Sequence, residues 1–311
     1  DRDVMVRMQL QSNGLYNNGD TPGAGSLGDV QMYEAFIQLG NIFGRKELGA
    51  REGRQEIVLG NEFQFGNNDF FSGETFDGSH WWWNAESWAL HFLWAKMNIV
   101  DDFNARDWPY APSGAGDAYD DDELYSLYFE YKGCQEFGLD IYWIYFNGHN
   151  GGSFGTLGNH LGSESTGNTT KGGPGFDFYY HTFGFRVHGL LNVAAGLDYN
   201  LELAYQTGGL ADEPAGAIDD VEGIAIEGEV GITFSNESKF RLYIRGLYAE
   251  GGDGDDTGYI PLFPERHSQA GGDNGNRRAR YGLMDIIPMD NVWSVQLGVH
   301  FDPAEAWTLG L

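Results

Sequence analysis

Charged residues recur at every second or fourth position in several stretches of this chain, and that spacing limits the chemistry they can do. Lys239, Arg241 and Arg245 alternate with Phe240, Leu242 and Ile244; Asp198 with Glu202, and Glu227 with Glu229, keep the same beat. Successive side chains of an extended chain point to opposite faces, so these charges share one face and the apolar residues take the other. The same reading along the whole chain puts Arg7, Glu34, Arg54, Glu56, Glu130, Lys132, Asp140, Arg186, Asp198, Glu202, Glu227, Glu229, Lys239, Arg241 and Arg245 on polar faces. Acids and bases there nearly balance. A wall of this kind can rigidify itself as a cross-strand ladder, at roughly 0.2–1 kcal/mol per opposed pair. It can also set up a transverse field that selects ions or sugars passing along it. The two roles are compatible.

Other chemistry is less well supported. Asp120, Asp121 and Asp122 in DAYDDDE, and Asp253, Asp255 and Asp256 in GGDGDD, cluster carboxylates beside glycine or small residues. Clustered carboxylates suit Ca²⁺, which takes six to eight oxygens. Neither cluster matches an EF-hand loop, so a solvated acidic surface is the plainer reading and no cofactor is required. Histidines stand at 80, 91, 149, 160, 181, 188, 267 and 300, and His80, His149, His160 and His267 are read in or beside loops. Neither GxSxG nor HExxH occurs in the sequence, so an outer-membrane hydrolase is the weakest functional reading. The basic run NRRAR at 276–280 lies in the longest connection and is expected to fold inward or to clamp acids.

The elements that must position these residues are strands. Strict alternation is found over 4–11, 31–40, 124–132, 239–245 and 292–301, with no comparable helical spacing. The longest run, LNVAAGLDYNLELAYQ at 191–206, reads as one strand of sixteen residues. Long connections fall near 65–78, 101–122, 148–174, 207–222 and 250–290. Short ones are NAES (84–87), KGCQ (132–135), HGL (188–190), SNES (235–238) and DPAE (302–305). A soluble sandwich has no reason to keep its long loops at one end. An up-and-down outer-membrane barrel does, with short periplasmic turns, long extracellular loops and an apolar exterior. Its edge must close, because hydrocarbon leaves no partner for open strand hydrogen bonds. Twelve strands and the start of a thirteenth at Trp307 are counted. Bacterial barrels use even numbers, so 14–18 strands and a chain continuing past Leu311 are expected, with 1–311 forming one domain.

Composition narrows the classes. A formal charge of −28 excludes a basic nucleic-acid surface. A single cysteine, Cys134, excludes a disulfide framework and CxxC metal or haem sites. No charged-then-apolar leader opens the chain at Asp1, which fits an exported protein whose signal has been removed. The surroundings expected are outer-membrane lipid and lipopolysaccharide.

Three stretches carry a family resemblance: EAFIQLGN (34–41), GRQEIVLGN (53–61), read as an alternating strand, and FDG (76–78). Their order and spacing resemble the opening of the alginate-export family, and LFPERHSQAGG (262–272) is similar to a late loop of that family. The resemblance implies an eighteen-stranded outer-membrane barrel that passes an anionic polysaccharide through an arginine-lined constriction. It places Arg54 at such a lumen position, with Glu56 on the same face and Glu34 on the neighbouring strand. This chain departs from that pattern in having 18 lysines and arginines against 46 acids. The functional expectation is a channel for a hydrophilic, anionic saccharide-type solute, without turnover chemistry. The alternative is a structural barrel or sleeve that holds protein partners in its lumen or on its loops.

Overall fold

In the computed structural model the residues described are 3–12, 30–66, 75–97, 122–148, 178–192, 196–210, 220–235, 237–252, 256–264, 270–271, 277–278, 289–304 and 307–310. The strands are β1 (Val4–Ser12), β2 (Val30–Leu39), β3 (Leu48–Gln55), β4 (Phe76–Asn84), β5 (Trp88–Met97), β6 (Asp122–Tyr131), β7 (Gly138–Gly148), β8 (Phe178–Leu191), β9 (Leu197–Leu210), β10 (Asp220–Thr233) and β11 (Arg241–Ala249). Two-residue strands β12 (Ala270–Gly271) and β13 (Arg277–Arg278) pair with each other, and β14 (Val292–Ala304) and β15 (Trp307–Gly310) follow. One 3-10 turn, Ile42–Gly44, is the helical element of the described chain. Thirteen strands form one sheet in chain order from β1 to β11, then β14 and β15, every neighbour antiparallel. This is the expected up-and-down all-β architecture. Among the described residues β1 and β15 are its two edges, so the sheet is not closed.

One row of partners shows how the wall is built. Trp83, Leu90, Phe129, Ile141, Phe185, Leu203, Ile226, Tyr248 and Trp293 face one another in turn from β4 to β14. All nine are apolar or aromatic, and their face carries most of the exposed large hydrophobic side chains of the described strands, among them Trp293 at 76% and Leu297 at 79%. Trp83 stands next to the short turn after β4, whereas Trp293 stands at the long-connection end of β14. The row therefore climbs the wall. With Trp83 and Trp293 taken as the two borders of an apolar band about 25 Å tall, eight inter-strand steps of about 4.8 Å correspond to a strand tilt of about 40°.

Three segments differ from the alternation reading. The run 191–206 is not one strand: β8 ends at Leu191, β9 starts at Leu197, and these two residues pair across a tight turn. Gly196, at φ +115, supplies the conformation that turn requires. Leu191 and Leu197 lie an even number of positions apart and face the same side, so the turn preserves the phase of the alternation and hides itself. The connection sits at 192–196 rather than at 188–190, which lie inside β8. The second difference is at Lys239, which belongs to the turn before β11, at φ +44. The third is at 56–61: β3 stops at Gln55, and Gly60 and Glu62, both at positive φ, lead the chain off the sheet. A register shift between Gln9 and Leu10 also turns Tyr33 to the polar face, although alternation groups it with the apolar Ala35.

Candidate functional site: the polar face of the barrel wall

The polar face is assembled by register. Glu130, Asp140, Arg186, Glu202, Glu227 and Leu247 lie side by side on consecutive strands from β6 to β11. The next row toward the short turns runs His188, Asn200, Glu229, Arg245 and Gln296. Charges held this close are buried, and burial is tolerable only with partners. Arg186 Nε donates to Asp140 Oδ2 at 2.6 Å. Arg241, 1% exposed, donates from Nε to Asp198 Oδ2 at 3.0 Å and from Nη2 to both Asp198 Oδ1 and Glu229 Oε1. Arg245 Nε completes the chain on Glu229 Oε2 at 2.9 Å. Gly231 is part of this device: a Cβ there would meet Arg241 Nη2 at 2.0 Å, so only glycine leaves the guanidinium room to lie across β10.

At the start of the sheet, Arg7 pairs with Glu34 at 2.7 Å, and Tyr33 donates its hydroxyl hydrogen to Glu56 at 2.5 Å. Lys132 pairs with Glu130 at 2.5 Å. Arg51 differs from the other arginines of this face. Its Nε and Nη2 donate to the neutral Gln38 Oε1 at 3.2 and 2.9 Å, and its guanidinium lies 4.3 Å from the centre of the Phe36 ring. Among the described residues no carboxylate is within ion-pair distance of it.

Two stretches between strands pack onto the same face. Residues 57–66 leave β3 and bury Ile57, Leu59, Phe63 and Phe65; the stretch after β11 buries Tyr259, Ile260, Leu262 and Phe263. They join each other through a parallel bridge between Phe65 and Phe263, and they join the wall through amides. Gln206 of β9 donates to Ile260 O and accepts from Ile260 N, both at 2.7 Å, doing with its side chain what a neighbouring strand would do. Gln64 donates to the hydroxyls of Tyr142 and Tyr259 at 3.1 and 3.0 Å. Asn61 donates to Glu227 at 3.1 Å. Gly60 passes so close over Tyr128 that a Cβ would meet its hydroxyl at 2.3 Å. The interior is therefore lined by wall charges and narrowed by two inward-packed segments.

Most polar-face residues named from the sequence are brought together here: Arg7, Glu34, Glu56, Glu130, Lys132, Asp140, Arg186, Asp198, Glu202, Glu227, Glu229, Arg241 and Arg245. Two are placed elsewhere. Arg54 is registered opposite Ala35 and Asp77, on the face of Trp81 and Trp83, and makes a two-pronged pair with Asp77 at 2.8 and 2.6 Å. Lys239 lies in its turn, 75% exposed, 4.0 Å from Asp302. Sequence reasoning missed Arg51, whose signal was the Trp81 and Trp83 phase on β4. That phase sends Arg51 and Gly53 inward and Glu52 and Arg54 outward. His80 is on β4 rather than beside a loop, with Nε2 2.9 Å from His91 Nδ1. Among the calcium candidates, Asp120, Asp121, Asp253 and Asp255 lie outside the described residues, as do His149, His160 and His267. Asp122 opens β6, and Asp256 accepts from Gly258 N at 2.9 Å. Of NRRAR, Arg277 and Arg278 form β13, and residues 276, 279 and 280 lie outside the description.

A family model described as alginate export matches residues 9–311. No curated protein gives a significant match to the chain.

Proposed function

The chain belongs to the alginate-export family, and on that premise we propose that it forms an outer-membrane channel for an anionic, saccharide-type solute. Arg51 carries this reading. The other arginines of the described polar face are neutralised by wall carboxylates, so they shape the lumen while adding little net attraction. Arg51 keeps its charge for a passing group: Gln38 and the Phe36 ring hold the guanidinium in place without neutralising it. A planar guanidinium is suited to take a carboxylate in two-point contact. The excess of acid in the sequence lies largely outside the alternating stretches, for example in DAYDDDE and GGDGDD.

The test is flux through liposomes holding the full-length protein, comparing uronate oligosaccharides with neutral ones of equal length. Arg51→Gln should slow the uronates several-fold and leave the neutral sugars unchanged. Equal slowing of both, or of neither, contradicts the assignment. The inward packing of 57–66 and 259–263 favours a second reading, a barrel closed by its own segments that serves as a structural sleeve. Absence of any flux, with the barrel folded, would select that reading.

A further inference from the structure

On the apolar face the charges nearest mid-depth are on β3 and β4; Lys96 of β5, opposite Asp77, and Glu123 of β6, opposite Lys96, continue the row toward the long connections. Glu52 and Arg54 of β3 stand opposite Ser79 and Asp77 of β4. The Ser79 hydroxyl donates to Glu52, and Arg54 grips Asp77 through both oxygens. Arg54 and Asp77 keep 38% and 37% of their side chains exposed. Their depth follows from the register. Asp77 is six residues along β4 from Trp83, which marks the short-turn border of the apolar band. At a tilt of about 40° that places Asp77 about 16 Å, Arg54 about 13 Å and Glu52 about 7 Å into a band about 25 Å tall. At comparable depth the other strands present Leu127, Trp143, Phe185, Leu201, Ile244 and Leu297. Ionised groups facing hydrocarbon near mid-depth are costly, and Asp77 is flanked across the sheet by Arg54 and Lys96 rather than by apolar residues.

We infer that this sector faces protein rather than lipid, and that the protein is a second copy of this chain. Charge complementarity commits the occupant. A two-fold axis along the membrane normal between β3 and β4 preserves depth and exchanges the two strands. It sets Arg54 against Asp77 of the second copy, and Asp77 against that copy's Arg54, at depths that differ by only about 3 Å. Glu52 meets Ser79 of the second copy in the same way. The result is a closed ring of alternating charges made by one patch on itself. The inference rests on the placement of the barrel in the outer membrane and not on its solute, so a channel without uronate flux leaves it standing.

The experiment uses the full-length protein in native outer membranes. A photo-crosslinking amino acid at Trp81, beside the patch but outside the ion pair, should yield a band of twice the mass containing only peptides of this chain. The same probe at Leu201 should yield none. Arg54→Asp and Asp77→Arg, each alone, should cut the crosslinked dimer at least tenfold. Co-expression of the two under different tags should restore a mixed dimer, because each supplies the charge the other needs. The heat-dependent gel shift of folded barrels reports folding of each variant. A Trp81 probe that reaches only lipid or a different protein overturns the inference, as do folded single variants that dimerise as well as the unaltered chain.

Discussion

Arg241 shows what a single wall residue does. Its guanidinium holds two carboxylates, Asp198 and Glu229, in a space where all three are buried. Removing it takes a guanidinium from Asp198 and leaves Glu229 with Arg245, and breaking one side of a buried pair costs about 3–5 kcal/mol. Arg241→Ala should therefore lower the unfolding midpoint of the refolded barrel in urea. Lys239→Ala, which removes a turn lysine 75% exposed and 4.0 Å from Asp302, should do so much less. An equal loss from both would contradict the distinction between wall and turn. Glu229 bridges Arg241 and Arg245, so substitutions at these three positions should be non-additive.

At the scale of elements, the two inward segments depend on the wall for their backbone hydrogen bonds. Gln206→Ala strips Ile260 of both its amide partners, leaving a buried N–H and C=O at about 1–3 kcal/mol each. The segment after β11 should loosen, opening the lumen while β9 stays paired. The check is a rise in neutral-sugar flux, together with faster proteolysis near 259–263; unchanged flux would show that the segment does not narrow the path. The strands themselves were largely legible in the sequence, because most of the long ones alternate and present one mainly apolar face; β3, charged in both phases, is the exception. Alternation has no origin, however. In the stretch from Gly49 to Glu56 both phases carry charge, so the choice between Arg51 and Arg54 rests on Trp81 and Trp83 of the next strand. The turn at 192–196 was hidden because it keeps phase. The inward segments read as strand and loop because apolar residues such as Ile57, Leu59, Phe65 and Phe263 bury equally well against an inner wall or in a sheet.

For the whole molecule, the continuous apolar row from Trp83 to Trp293 and the paired charges opposite it describe one tilted wall with a membrane side and a solute side. Membership of the alginate-export family places the chain among outer-membrane transport proteins. Acids outnumber bases on the described wall, so the preference for anions proposed here rests on Arg51 alone, the arginine held by Gln38 and Phe36 rather than by an acid. The most direct measurement is single-channel current through the full-length protein in a planar bilayer under a salt gradient, with uronate oligomers added. The account predicts a measurable conductance with anion preference, blocked by uronates, and a block that weakens several-fold in Arg51→Gln. A folded barrel that passes no current, or a cation-preferring pore indifferent to uronates, would contradict it.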